Sequence, residues 1–518
     1  MAQMDTLVAT AEGRVDGKRG RRSRRGTIGW FGIPYAAPPV GPLRLRAPQP
    51  VTPWDDTLEC HDYGPVPIQE KLFTARGNGR YQPRSEDCLT LNVFAPDGVS
   101  ATPRPVMVFN YGGAYILGGS STPIYDGAFL ARARDVIVVT VNYRFGPLGF
   151  LDLSDYSTPE RPFDTNCGLR DMVAGLEWVQ RNIAAFGGDP ERVTVFGESA
   201  GGAAVLTLLS TPAAEGLFSR AISQSPAADL VVHRDNAEIL ADEFLRQVVD
   251  PDRRSGPERT EPRLDAAEVA RIVDEAGPYD LHAAGNRLLS FSKHAQLSDP
   301  MPFAPVIDGD YLPQSPVEAA LAGRTHRVPL ITGSNLDEGE LFARFWNILP
   351  EPTHHLVGVH DPEVREELSR LYPGTRDEVR LAADAVFWIP TTIFAENHAK
   401  HSPTYVYRYD YAVRVLKASG IGATHATELL AVFGIYRHPI GAGLALAGSW
   451  GSTKRITATM QSLWTWFART GEPAPSWPRY SIADRRVLVI DDPVRVELDP
   501  DGPRRAAWER VHLELRRS

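Results

Sequence analysis

The stretch best suited to chemistry is Gly197-Glu198-Ser199-Ala200-Gly201. Ahead of it runs Arg192-Val193-Thr194-Val195-Phe196, an apolar, β-branched strand; after it runs Ala203–Leu209, which reads as a buried helix. A Gly-x-Ser-x-Gly between strand and helix is a nucleophile elbow. The turn strains the serine backbone and lifts its hydroxyl off the sheet edge, and flanking glycines leave room for it. The next N–H, that of Ala200, starts the helix and points its positive end at the same space. As a mere tight turn the pattern is common, and it is the strand and helix around it that favour a nucleophile.

A serine hydroxyl attacks only if an imidazole takes its proton and an acid orients that imidazole. With an elbow of this kind the chain order is serine, acid, histidine. The acid should follow a strand downstream of Ser199. Gly333-Ser334-Asn335-Leu336-Asp337-Glu338-Gly339 does so and offers two carboxylates, between which periodicity does not choose. For the histidine, His425 in Gly422-Ala423-Thr424-His425-Ala426-Thr427-Glu428 competes with His398, His401 and His438. His398 and His401 end a helix ahead of Pro403, where solvated histidines are common. A tetrahedral intermediate also needs N–H donors for its oxyanion. Ala200 supplies one, and Tyr111-Gly112-Gly113-Ala114, closing an upstream strand, is placed to supply the rest.

These residues must be positioned by a sheet. Leu89–Phe94, Val106–Asn110, Val136–Val141, the elbow strand, Ala221–Ser225, Val328–Gly333, Tyr405–Tyr409 and Arg486–Ile490 read as strands. Val136–Val141 is apolar on both faces, as in a buried parallel strand. Met172–Phe186 has helical spacing and stops at Gly187-Gly188-Asp189-Pro190. Strands alternating with helices predict a mostly parallel sheet with right-handed crossovers. Residues 226–300 and 345–400 read as charged helical insertions, the first partly a cap over one end of the sheet. With no repeat and no long low-complexity linker, residues 1–518 read as one elaborated domain.

Composition excludes other classes. A net charge of −9 argues against general nucleic-acid binding. No apolar run reaches the ~18 residues of a membrane span, and the N-terminus lacks a signal-peptide core, so a cytoplasmic location without membrane attachment is expected. Lys18, Arg19, Arg21, Arg22, Arg24 and Arg25 form a basic cluster between two strand-like pieces, read as a solvated hairpin loop, with an anionic partner as the alternative. Three cysteines and 13 histidines show no metal-site spacing. On composition alone the cysteines are buried thiols, although Cys60 and Cys88 could close a loop.

The chain resembles the type-B carboxylesterase/cholinesterase family. The matching pieces are Phe31-Gly32-Ile33-Pro34-Tyr35-Ala36, Ser85-Glu86-Asp87-Cys88-Leu89-Thr90-Leu91-Asn92-Val93, Tyr111-Gly112-Gly113-Ala114, Asn142-Tyr143-Arg144, Phe186-Gly187-Gly188-Asp189-Pro190, the elbow, Pro305-Val306-Ile307-Asp308-Gly309, Asp337-Glu338-Gly339 and His425 with Glu428. They run in order over nearly the whole chain. The resemblance implies an α/β-hydrolase fold, a central mostly parallel sheet flanked by helices with helical cap insertions. It implies a serine esterase with Ser199, Glu338 and His425 as triad and Gly113, Ala114 and Ala200 as oxyanion donors. It further implies a Cys60–Cys88 disulfide with Cys167 unpaired, and a role for Glu198 in holding water or favouring a cationic substrate. No metal or organic cofactor is implied. The sequence departs from the cholinesterases where their acyl-pocket aromatics would stand: here the residues include Asp299, Pro300 and Met301, and no Trp lies between Cys60 and Cys88. The expected substrate is therefore a small short-to-medium chain or aryl ester, as for the bacterial para-nitrobenzyl-esterase branch. The rivals are a non-catalytic adhesion-type relative, which would lack a triad member, and a lipase, which would carry a large apolar lid.

Overall fold

The computed structural model describes residues 3–515 apart from 78, 253–262, 295–296, 298, 300, 346–360, 438 and 446–447. The competing His438 and the pocket residue Pro300 therefore lie outside the described residues. The chain forms two compact units, both discontinuous in sequence: residues 1–220 with 230–315, and residues 221–229 with 316–518.

In the first unit the strands β1 (Thr27–Pro34), β2 (Thr90–Pro96), β3 (Arg104–Asn110), β4 (Ile137–Val141) and β5 (Gly188–Glu198) lie in the order β5-β3-β4-β2-β1. A two-residue strand, Lys18–Arg19, pairs antiparallel with β1. β4 and β5 both run parallel to β3, with Ile137 and Val193 each opposite Val106. Every residue of β3 and β4 is buried, as expected of strands covered on both faces. Helix α1 (Cys167–Asn182) precedes the elbow strand and α2 (Ala200–Leu208) follows it. The insertion contributes α3 (Arg234–Val249), α4 (Ala266–Glu275) and α5 (Pro278–His294). The basic cluster is only partly solvated. Arg24 bonds Asp126 (2.7 Å) and the Tyr63 hydroxyl (2.9 Å) and lies over the Phe31 ring, and Arg19 pairs with Asp97.

In the second unit β6 (Arg220–Gln224), β7 (Leu330–Asn335), β8 (Thr404–Tyr409) and β9 (Arg486–Ile490) run parallel in sequence order, and β10 (Arg495–Leu498) adds an antiparallel edge. Its helices include α6 (Gly339–Phe345), α7 (Pro362–Leu371), α8 (Thr375–Ala383), α9 (Ile389–His398), α10 (Trp450–Thr470) and α11 (Gly502–Leu515). The strands expected from sequence are present to within two residues at their ends, except that the elbow strand begins at Gly188, four residues before the expected Arg192 and inside the stretch read as a turn. β10, a short edge strand with an exposed Leu498, was not anticipated.

Two expectations are corrected. Cys60, Cys88 and Cys167 are all buried free thiols, so the Cys60–Cys88 bridge is not formed. The two thiols sit in different surroundings. Burial, then Asp16, pushes Cys60 up to about 12; burial, then Asp171, raises Cys88 well above its usual value. Neither is a ready thiolate. Nor is His398 solvated. It has no exposed surface, its Nδ1 meets Thr325 Oγ1 at 2.8 Å and its Nε2 meets the Val328 carbonyl at 3.0 Å.

Candidate active site

The first unit carries the elbow serine, Ser199, and the small-residue loop. β5 ends at Glu198, and Ser199 takes φ 61° and ψ −128° before α2 begins at Ala200. A serine pays for such a conformation with backbone strain, which marks functional turns. The elbow closes tightly on β3. A Cβ on Gly201 would run into the Asn110 carbonyl, and one on Gly112 would come within 2.8 Å of Ser199 Cβ. The second contact places the Gly112-Gly113-Ala114 loop directly beside the serine. That loop is bent by positive φ at Gly113 (125°), Ala114 (52°) and Tyr115 (56°). The Gly113 carbonyl accepts the Ile116 and Leu117 N–H groups, which turns the carbonyl inward. Ala200 opens a helix, so its N–H belongs to the unsatisfied positive end.

Two tyrosines hold the strand ends from which the loop springs. Tyr111 and Tyr143 stack at 4.4 Å. The Tyr143 hydroxyl donates to the Tyr111 carbonyl (2.7 Å), and the Tyr111 hydroxyl to the Tyr143 carbonyl (3.0 Å). Next to them Arg144 makes a buried two-point bond to Asp171 at 2.7 and 2.8 Å. Glu198 is 3% exposed. Burial raises the Tyr125 phenol, and the nearby Glu198 charge adds to the rise. Met301 is half-buried. Its neighbour Asp299 is committed elsewhere, accepting the His233 N–H, the His233 ring and the Asn236 amide at 2.7 Å each, at the start of α3.

The second unit carries Glu338 and His425. Glu338 Oε2 lies 2.6 Å from His425 Nδ1, with both side chains 4% exposed. The other carboxylate oxygen accepts the Asn335 N–H at 2.7 Å. Asp337 turns away: its carboxylate accepts the Ala423 N–H and its N–H donates to the Ala423 carbonyl, both at 3.0 Å. The two neighbouring carboxylates thus divide the work, Glu338 meeting the imidazole and Asp337 holding the loop that carries it.

Behind this pair lies a second acid, Glu428, which the sequence placed beside His425 without assigning it a part. Glu428 is fully buried and accepts Asn335 Nδ2 (2.6 Å) and Gln224 Nε2 (3.3 Å). Asn335 also donates to the Thr424 carbonyl, and Gln224 is held by Trp464 Nε1. Burial, then the charge of Glu338, raises Glu428 to about 7. Its place three residues after His425 gives no helical signal, since Ala426 takes φ 65° and the helix begins only at Leu429. Phe342 and Phe387, each 4.8 Å from the His425 ring, were missed.

The geometry has counterparts in known proteins. The sequence profile of the carboxylesterase family matches residues 4–360 and 363–508. The para-nitrobenzyl esterase of Bacillus subtilis (strain 168) is 36% identical over 516 residues, spanning 96% of this chain and 97% of that protein. The liver carboxylesterase of Sus scrofa is 33% identical over 516 residues, spanning 92% and 87%. A solved PNB esterase superposes with a TM-score of 0.84 at 35% identity, covering 97% of this chain and 99% of the other. The Geobacillus stearothermophilus carboxylesterase EST55 does so with a TM-score of 0.80 at 32% identity. The architecture is the α/β-hydrolase fold, a mostly parallel central sheet with flanking helices, and the chain belongs to the carboxylesterase family, the serine hydrolases of carboxylic esters.

Proposed function

We propose that the protein hydrolyses small carboxylic esters through an acyl-enzyme on Ser199, with His425 as base and Glu338 as its orienting acid. The observation that carries the reading is the buried 2.6 Å contact between Glu338 and His425 Nδ1. A carboxylate there favours the tautomer with its proton on Nδ1, leaving Nε2 as acceptor. Ser199 Oγ gives its proton to Nε2 and bonds to the ester carbonyl carbon. The oxygen becomes an oxyanion, received by the N–H groups of Gly113, Ala114 and Ala200. Collapse breaks the bond to the alcohol, which leaves with the proton from His425. Water then repeats the sequence, releasing the acid and restoring Ser199. An organophosphonate should label Ser199 and no other serine. Adducts elsewhere would overturn the assignment.

The preferred substrates are short-to-medium chain and aryl esters. In support, Asp299, Pro300 and Met301 in the stretch ahead of Pro305-Val306-Ile307-Asp308-Gly309 are not aromatic, and a similar protein is named a para-nitrobenzyl esterase, for an ester with an aromatic ring in its alcohol part. Each further buried methylene can add up to about 0.8 kcal/mol to transition-state binding, so p-nitrophenyl butyrate should match or exceed the acetate. A rate that collapses from acetyl to butyryl would contradict this. A cytoplasmic location belongs to the same reading. No described helix is long and apolar enough to cross a membrane, and three unbridged thiols suit a reducing compartment.

A further inference from the structure

The His425 ring touches two phenyl groups that proton transfer does not itself require. Phe342 on α6 and Phe387 each lie 4.8 Å from it, and they stack on one another 5.7 Å apart at 9°. The three rings therefore close a triangle. Glu338 holds the imidazole at Nδ1, and the phenyl pair packs against the same ring.

Phe387 owes its direction to an irregularity. Residues Asp384–Trp388 form one π-helical turn between α8 and α9. A single extra residue in a helix rotates the side chains that follow by about 100°, and such turns recur at functional sites. The turn is held from the opposite side. Asp384 Oδ2 accepts the Tyr372 hydroxyl and Arg504 Nη1, both at 2.6 Å. Tyr372 in turn accepts Trp508 Nε1 of α11 at 2.9 Å. Next to Asp384 and Trp388 lies a cavity of about 340 Å³, also lined by Arg380 and Arg504, so packing alone does not seat the turn.

We propose that Phe387 is a positioning residue for His425, and that the buried Asp384–Arg504 pair locks the π-turn that presents it. The inference rests on His425 being the general base. It gives α11 a part in catalysis at one remove, through Arg504 on Asp384 and Trp508 on Tyr372. The phenyl groups also attract the imidazolium that forms during turnover. Within this unit the charged groups around the ring are Glu338 and Glu428. Glu340 on α6 pairs with Arg344 and Asp384 with Arg504, so replacing Phe387 with leucine changes no charge there.

The test is steady-state kinetics on p-nitrophenyl acetate across pH for Phe387→Leu, Phe387→Tyr, Asp384→Asn and His425→Ala. For Phe387→Leu, kcat should fall about tenfold or more with KM within about twofold, since orientation acts on the transition state. Its acid limb should move down by about half a pH unit, because the imidazolium loses an aromatic neighbour. Phe387→Tyr should recover the limb. Asp384→Asn should lower kcat in the same direction with Phe387 in place, which keeps the test open if Phe387→Leu does not fold. An unchanged kcat and limb in Phe387→Leu, with His425→Ala inactive, would overturn the positioning role. An unchanged Asp384→Asn would overturn the lock. An active His425→Ala would instead refute the assignment of the base.

Discussion

The two units position their candidate residues by different physical means. In the first, the backbone does the positioning: a strained serine, a loop of positive φ angles, glycines pressed against the Asn110 carbonyl and Ser199, and a helix terminus. In the second, side chains do it: Glu338 on His425, Asp337 on Ala423, Asn335 and Gln224 on Glu428, and phenyl rings against the imidazole. A backbone-built site should be intolerant of added bulk, whereas a side-chain-built site should grade its losses residue by residue.

The largest effect belongs to the backbone-built part. Ser199→Ala removes the nucleophile and leaves only residual catalysis, so turnover should fall by about 10⁴–10⁶ with the fold intact. Esterase assays with circular dichroism as the control check this. Turnover within tenfold of wild type would mean that another group forms the acyl-enzyme.

The side-chain part should divide two adjacent acids. Glu338→Gln takes away the imidazole's charge partner and its tautomer control, at a cost of about 10²–10⁴ in kcat. Asp337→Asn keeps the size of a group whose carboxylate accepts the Ala423 N–H rather than the imidazole, and should cost less than about tenfold. Equal losses would erase the division between them.

That contrast also explains what the sequence made legible. The elbow and the glycine loop are contiguous because backbone geometry is written in consecutive residues, and Val136–Val141 announced a buried strand by being apolar on both faces. The acid–imidazole surroundings draw on residues as far apart as Gln224, Asn335, Phe387, Glu428 and Trp464. No spacing rule joins them before the chain folds. Asp337 and Glu338 could be told apart only by resemblance, since both are acids in one loop and only tertiary structure decides which turns inward. His398 was misjudged because helix ends are usually wet, and here the end docks onto Thr325 and Val328. The disulfide expectation failed because it came from family resemblance, and loop length says nothing of whether two thiols meet.

Two buried titratable groups of the second unit offer a finer test in stability. Burial drops His398 from 6.5 to about 4. Between those values the unfolded chain binds the proton and the folded chain does not. Its contribution is fully present above pH 6.5 and is lost as pH falls toward 4, about 3 kcal/mol in all. His398→Asn removes that loss, so the variant's urea midpoint relative to wild type should rise steadily as pH falls from 6.5 to 4. A slope as steep as wild type would mean that the acid sensitivity resides elsewhere.

Glu428 has the opposite sign, its burial only partly offset by the Asn335 and Gln224 amides that bond its carboxylate. Its folded value near 7 lies above the 4.5 of an unfolded glutamate. Stability from this group is thus fully present below pH 4.5 and is lost as pH rises through 7, by about 2–3 kcal/mol. In the wild type the two slopes partly cancel, so a shallow pH dependence would conceal both. Glu428→Gln removes one of them. The variant's stability relative to wild type should therefore grow between pH 5 and pH 8, and the urea midpoints should diverge in that direction. Activity should respond as well, because the charge that appears on Glu428 near neutrality lies close to Glu338 and His425 and favours the imidazolium. With glutamine there, the acid limb of kcat/KM should become a single-proton curve and shift slightly downward. If the midpoint difference stays level from pH 5 to 8 and the limb does not move, Glu428 does not titrate in this range and its place behind the imidazole is purely structural.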